Sequence, residues 1–131
     1  MIFGTGIDIV EVRRIAESIE KWGGRFLTRV FSQGEIEYCK NCALPAMHYA
    51  ARFAAKESFL KSLGLGLGMG VRLMDIEVAI DQRGKPEIRL QGKSENLLSN
   101  LGITVVHVSL SHTRHSAAAM VVLEKAESSH G

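Results

Sequence analysis

The stretch "ITVVHVSLSHTRHSAAAMVVLE" (103–124) reads as two strands, 103–113 and 115–124, folded back as an antiparallel hairpin. In its first arm His107, Ser109 and Ser111 share one face and Val106, Val108 and Leu110 the other, which leaves His112 at the strand end beside the turn. Gly102 closes a helix expected over Ser94–Leu101. Before it, "VRLMDIEVAI" (71–80), a turn at "DQRGKP" (81–86) and "EIRL" (87–90) give two more strands. At the amino end, Met1–Val12 reads as a strand running into a helix over Glu11–Trp22, stopped by Gly23-Gly24. A second helix follows Ser32, with Glu35 three residues on as in a capping box, and a third opens at Pro45 and runs to Leu63. Helices and strands are partly segregated, so the expected class is α+β with a mainly antiparallel sheet, one domain over residues 1–124 and a disordered tail over 125–131.

The 131 residues are 46% hydrophobic, enough for one compact core. A net charge of +2 does not announce a nucleic-acid binder, and 6% aromatics without a stacking motif argue against an RNA module. Basic charge is local instead: Arg13, Arg14, Lys21, Arg25 and Arg29 stand against Glu17 and Glu20. No apolar run is long enough for a membrane span and no signal peptide is visible, so a cytoplasmic protein is expected. Cys39 and Cys42 form an isolated CxxC with His48 as a conceivable third ligand; without a fourth ligand or a preceding strand they read as free, reduced thiols. Trp22 reads as a core or interface anchor.

Two acids sit in apolar surroundings. In "RFAAKESFLK" (52–61), Glu57 projects among Phe53, Leu60, Ala50 and Ala54, with Lys61 one turn further along nearly the same face, while Arg52 and Lys56 point elsewhere. An i,i+4 pair of Glu57 with Lys61 at a solvated edge is the plain alternative. Asp8 lies in the first strand between Ile7 and Ile9, sharing a face with Gly4, Gly6 and Val10. A turn or capping role is open there, but two glycines beside an acid also leave a surface a ligand can approach closely. One shared cation explains both acids together, and magnesium suits two carboxylates plus water and phosphate. The glycine-rich "GLGLGMG" (64–70) lacks the ends of a phosphate loop and is read as a connector whose start, Gly64, lies beside Lys61 and can line a ligand groove. A Ser-His nucleophile is not supported, because no G-x-S-x-G turn is present.

"GIDIVEVRRI", "RFAAKESFLK", "DQRGKP" and "HVSLSHT" stand in the order and approximate spacing of the bacterial holo-[acyl-carrier-protein] synthases, which the chain resembles over about residues 2–124. The resemblance implies the 4'-phosphopantetheinyl transferase fold, a homotrimer with active sites between subunits, and transfer of 4'-phosphopantetheine from coenzyme A to a serine of apo acyl carrier protein. It implies Mg2+ on Asp8 and Glu57, and Lys61 countering diphosphate charge or contacting the attacking serine. Arg52 and His112 are implied to lie along coenzyme A, with Ser111 and Thr113 nearby. Arg14 is implied to meet the acidic carrier, with Arg13, Arg25 and Arg29 supporting it. The 3'-phosphate contact of some relatives has no clear counterpart, since the segment before the helix is "ALPAMHY".

Overall fold

The computed structural model describes residues 1–64 and 70–127. The elements are β1 (Ile2–Glu11), α1 (Val12–Trp22), α2 (Gly24–Val30), α3 (Gln33–Lys40), α4 (Pro45–Leu63), β2 (Ile76–Ile80), β3 (Pro86–Leu90), α5 (Leu97–Asn100), β4 (Ile103–His112) and β5 (Ser116–Lys125). Strands β1, β5 and β4 form an antiparallel sheet in that order, and β2 and β3 a separate antiparallel pair. The class is α+β with antiparallel pairing, as the alternation of residues 103–124 requires. The 125–131 tail expectation falls mostly on 128–131, outside the described residues.

Helix α4 organises the molecule. Pro45 occupies its first turn and Gly64, at φ 73°, turns the chain out of its last. Twelve of its nineteen residues are buried, so it has almost no free face. Ala54, Ala55, Phe59, Leu60 and Leu63 join one apolar cluster with Val108, Val121 and Leu123 of the sheet. Ala50 and Ala51 join a second with Ile15, Phe31 and Tyr49. The alanines and the two serines of α4 let its backbone approach β1: a Cβ on Gly6 would lie 1.9 Å from the Ser58 carbonyl oxygen, and one on Gly4 1.9 Å from that of Ser62. The two glycines therefore do not leave a surface for a ligand. The helix backbone fills it.

Three further local expectations are corrected. Gly23-Gly24 is not a simple stop: Gly23, at φ 54°, turns the chain and α2 begins at once, carried by Phe26 and Val30 four residues apart. The first half of "VRLMDIEVAI" is not strand, because Arg72 clamps the buried Asp75 carboxylate at 3.0 and 3.3 Å and tightens Leu73–Asp75 into a 3-10 turn. The helix expected over 94–101 shortens to Leu97–Asn100 behind a 3-10 turn at Gly92–Ser94. The capping box of α3 forms as expected, with Glu35 N–H donating to Ser32 Oγ at 3.2 Å and Ser32 N–H to Glu35 Oε1 at 2.9 Å. However, Glu35 has a larger role. Fully buried Lys56 donates to Glu35 Oε1 at 2.6 Å, to Leu73 O at 2.9 Å and to Ile76 O, while Glu35 Oε2 accepts Val78 N–H at 3.1 Å. Both charges are satisfied by hydrogen bonds, the condition under which such a pair is tolerated in a core.

Candidate active site

Asp8 stands on β1 opposite Ala119 of β5, and Glu57 one residue before Ser58 on α4, whose hydroxyl donates to Ala119 O at 2.9 Å. The docking of α4 onto β1 and β5 therefore brings two acids 49 positions apart in sequence into one cleft of about 520 Å³, which Arg14, Ile15, Phe26 and Phe53 also line. Lys61 does not pair with Glu57, as the i,i+4 alternative required. Its ammonium donates across to β1 instead, to Asp8 Oδ1 at 2.9 Å and Ile7 O at 3.0 Å. Among the described residues Glu57 makes no ion pair, and burial, helped by the neighbouring Asp8 charge and opposed by Lys61, pushes its carboxyl above the usual value.

That shift sets a pH prediction. A carboxyl whose native pKa lies above its unfolded one contributes no penalty below the ordinary value of 4.5, and its full penalty only above the raised native value. Glu57→Gln should thus raise the melting temperature at pH 7 by roughly a degree or two and change nothing at pH 4. Thermal scans at both pH values check it; equal gains at both would show that charge is not the cause.

Two carboxylates that converge on a polar cleft form a donor set for a hard, oxygen-seeking cation that keeps waters and takes further oxygens from a substrate. The cleft offers carboxylate oxygens and no histidine or cysteine among its lining residues, a donor set unlike the nitrogen and sulfur ligands zinc favours. The thiols follow suit. Cys39 and Cys42 are free, and burial pushes the Cys39 thiol up to about 12. A maleimide at pH 7.5 should label the half-buried Cys42 in the native protein and reach Cys39 only after unfolding, which peptide mapping reads directly.

The remaining expected residues divide. Arg14 lines the acid cleft. Arg25 and Arg29 line a neighbouring hollow of about 380 Å³ with Trp22 and Phe26, while Arg13 pairs with Glu17 at 3.5 Å. Trp22 is 52% exposed, an anchor on a surface rather than in the core. Arg52 does not line the acid cleft. It is buried, with its guanidinium 4.4 Å from the Tyr38 ring centroid and its Nε unpartnered, beside a small hollow between α3 and β2. His112 meets His48 with ring centroids 5.5 Å apart, and His48 in turn faces Tyr38 at 6.2 Å. Burial first, then His112 and Arg52, hold His48 below its usual pKa. Ser111 is exposed next to His112, and Thr113 Oγ1 accepts the backbone N–H of His115 and Ser116 in the hairpin turn. Gly64 is exposed at the end of α4; the loop read as a connector lies, over 65–69, outside the described residues. Within one chain the expected residues thus form two groups, one around Asp8, Glu57, Lys61 and Arg14 and one around His112 and Arg52. Phe26, which with Phe53 forms the apolar walls of the acid cleft, is not marked by the sequence, because an aromatic residue at helical spacing looks like core.

Known proteins resemble this chain in sequence and fold. The family model for the 4'-phosphopantetheinyl transferase superfamily matches residues 4–120. A holo-[acyl-carrier-protein] synthase of Syntrophus aciditrophicus is 58% identical over 124 residues, covering 95% of this chain and 97% of its own length. Among solved structures, the holo-[acyl-carrier-protein] synthase of Neisseria meningitidis superposes with a TM-score of 0.89 at 35% identity, covering 95% of this chain and 100% of that one. The synthase of Bacillus anthracis, in complex with CoA (3',5'-ADP), superposes with a TM-score of 0.79 at 37% identity, covering 96% of this chain and 99% of that one. With its α+β fold, its paired acids and these matches along nearly its whole length, this chain belongs to the holo-[acyl-carrier-protein] synthase family of the 4'-phosphopantetheinyl transferase superfamily.

Proposed function

We propose that the enzyme moves 4'-phosphopantetheine from coenzyme A to a serine hydroxyl of an apo acyl carrier protein, releasing adenosine 3',5'-bisphosphate, with Mg2+ held by Asp8 and Glu57. The observation that carries this reading is the convergence of Asp8 and Glu57 on one cleft with Lys61 at its edge and Arg14 in its wall. The relative from Bacillus anthracis, solved with CoA (3',5'-ADP), supports coenzyme A as the donor. The serine oxygen forms a bond to the phosphorus nearer the pantetheine, the bond to the other phosphate's bridging oxygen breaks, and that oxygen leaves with the electron pair. The serine proton is released, and no covalent intermediate with the enzyme is needed. Bound Mg2+ supplies neutralising charge at the diphosphate. Lys61, on a flexible stem, adds a second cation for the oxygens where charge accumulates. Arg14, Arg25 and Arg29, around the apolar Phe26 and Trp22, form the docking face for an acidic carrier, with Arg13 on the same helix as Arg14 adding positive charge beside it.

The enzyme is further proposed to be a homotrimer. The sheet face turned away from α4 carries Ile7 and Ile9, 63% and 70% exposed, beside Met120 at 48%. Covering that face with a second copy also accounts for the two groups of site residues, since His112, Ser111 and Arg52 of one subunit then serve a neighbour's acid cleft. Among the described residues no helix is long and apolar enough to cross a membrane, and a cytoplasmic role in lipid synthesis is the setting proposed.

The test is the intact mass of an apo acyl carrier protein incubated with enzyme, coenzyme A and magnesium, then with a chelator. A gain of one phosphopantetheine that the chelator abolishes is expected; an unchanged carrier mass under both conditions would sink the proposal.

A further inference from the structure

We propose that Lys61 is a tethered counter-ion that shares Asp8 with the divalent cation, so that lysine and metal exclude one another at Asp8 until an anionic diphosphate draws the ammonium away. The inference rests on the reading that Asp8 and Glu57 hold the metal. Lys61 sits four residues after Glu57 on the same helix, yet its ammonium spends two hydrogen bonds on β1, at Asp8 Oδ1 and Ile7 O. The Asp8 side chain is only 18% exposed, so a cation already at Oδ1 obstructs the approach of another. The Lys61 side chain is 54% exposed and holds no buried position, so its release costs little packing. A divalent ion bridging Asp8 and Glu57 would face the ammonium as a like charge and push it off. In the protein alone the displaced lysine gains only water, whereas a bound diphosphate offers it oxygens.

The consequence is a defined coupling. Lys61 weakens metal binding to the protein alone and ceases to do so once a diphosphate is present, which links metal and diphosphate affinities reciprocally. Removing the lysine should therefore improve one property of the site while damaging its chemistry. A residue that only supports the fold would not do this.

The test uses Mn2+ as probe, its free concentration followed by electron paramagnetic resonance, on the full chain without coenzyme A or carrier. Lys61→Met should bind Mn2+ about three- to tenfold more tightly than the parent, while transfer to the carrier falls. Lys61→Gln, which keeps a polar head, serves as the second variant. Arg14→Met removes a different cation that lines the same cleft and makes no ion pair with either acid, and should leave Mn2+ affinity unchanged. Unchanged or weaker binding in both lysine variants overturns the proposal, as does equal tightening in Arg14→Met, which would make the effect one of net charge. Asp8→Asn should lose the high-affinity Mn2+; its retention would overturn the metal reading of the site along with the inference, whereas loss in Asp8→Asn without tightening in the lysine variants overturns the inference alone.

Discussion

Asp8→Ala is expected to lower phosphopantetheine transfer by at least about a hundred- to a thousandfold while the protein stays folded, and Glu57→Ala to do the same. The size follows from the metal role proposed for each carboxylate: with one of two anionic donors gone, the remaining acid, partly hidden from water, would hold a divalent ion poorly. The fold survives for separate reasons. Neither acid belongs to the apolar clusters, and the Asp8–Lys61 pair is exposed on its lysine side, so its loss costs no more than about 1 kcal/mol. Rates at saturating coenzyme A and carrier, measured over a magnesium series beside thermal scans, check both halves. Near-parental turnover in either variant at saturating magnesium would remove that residue from the metal set.

Gly6→Ala should be the most damaging small substitution for the fold, costing more than about 4 kcal/mol. The added methyl would lie 1.9 Å from the Ser58 carbonyl oxygen and 3.0 Å from the Ser62 amide nitrogen, both backbone atoms of a helix packed on nearly every side. No rotamer change relieves a contact with backbone, so β1 or α4 must shift, and each of them carries one of the two acids. Gly24→Ala provides the control, since a Cβ there meets nothing within 4 Å. Urea denaturation should give a lost or greatly lowered midpoint for Gly6→Ala and a midpoint near the parent's for Gly24→Ala. A parental midpoint for Gly6→Ala would mean that helix and strand are less closely apposed than the structure has them.

Much of this was legible in the residues. The alternation in 103–124 foretold β4 and β5 and the outward face of His107, Ser109 and Ser111, because a period of two leaves little choice where one face is buried. Asp8 and Glu57 drew attention because an acid among apolar neighbours is costly without a partner. Other features hid behind sufficient local explanations. The capping box accounted for Glu35, so nothing in the sequence demanded its buried partner Lys56. The Gly23-Gly24 pair looked like a terminator because the apolar repeat of α2 is too short, at seven residues, to stand out. The glycines of β1 are open to either reading, since a strand sequence cannot say whether a helix or a substrate will press on it; the backbone of α4 does. The separation of Arg52 and His112 from the acid cleft is a matter of tertiary geometry, which no local pattern encodes.

The order of the three-stranded sheet bears on how a new chain matures. Its middle strand, β5, is the last described element to be synthesised, while β1, which carries Asp8, is the first. At about 5–20 residues per second on the ribosome, β1 waits roughly 5 to 20 seconds for its pairing partner. Throughout that interval its apolar side chains are open to chaperones and to neighbouring nascent chains. The pairing that seats Asp8 beside Ala119 becomes possible only once residues 116–125 have been made, so a polypeptide halted before β5 would leave the exit tunnel with both acids and no centre.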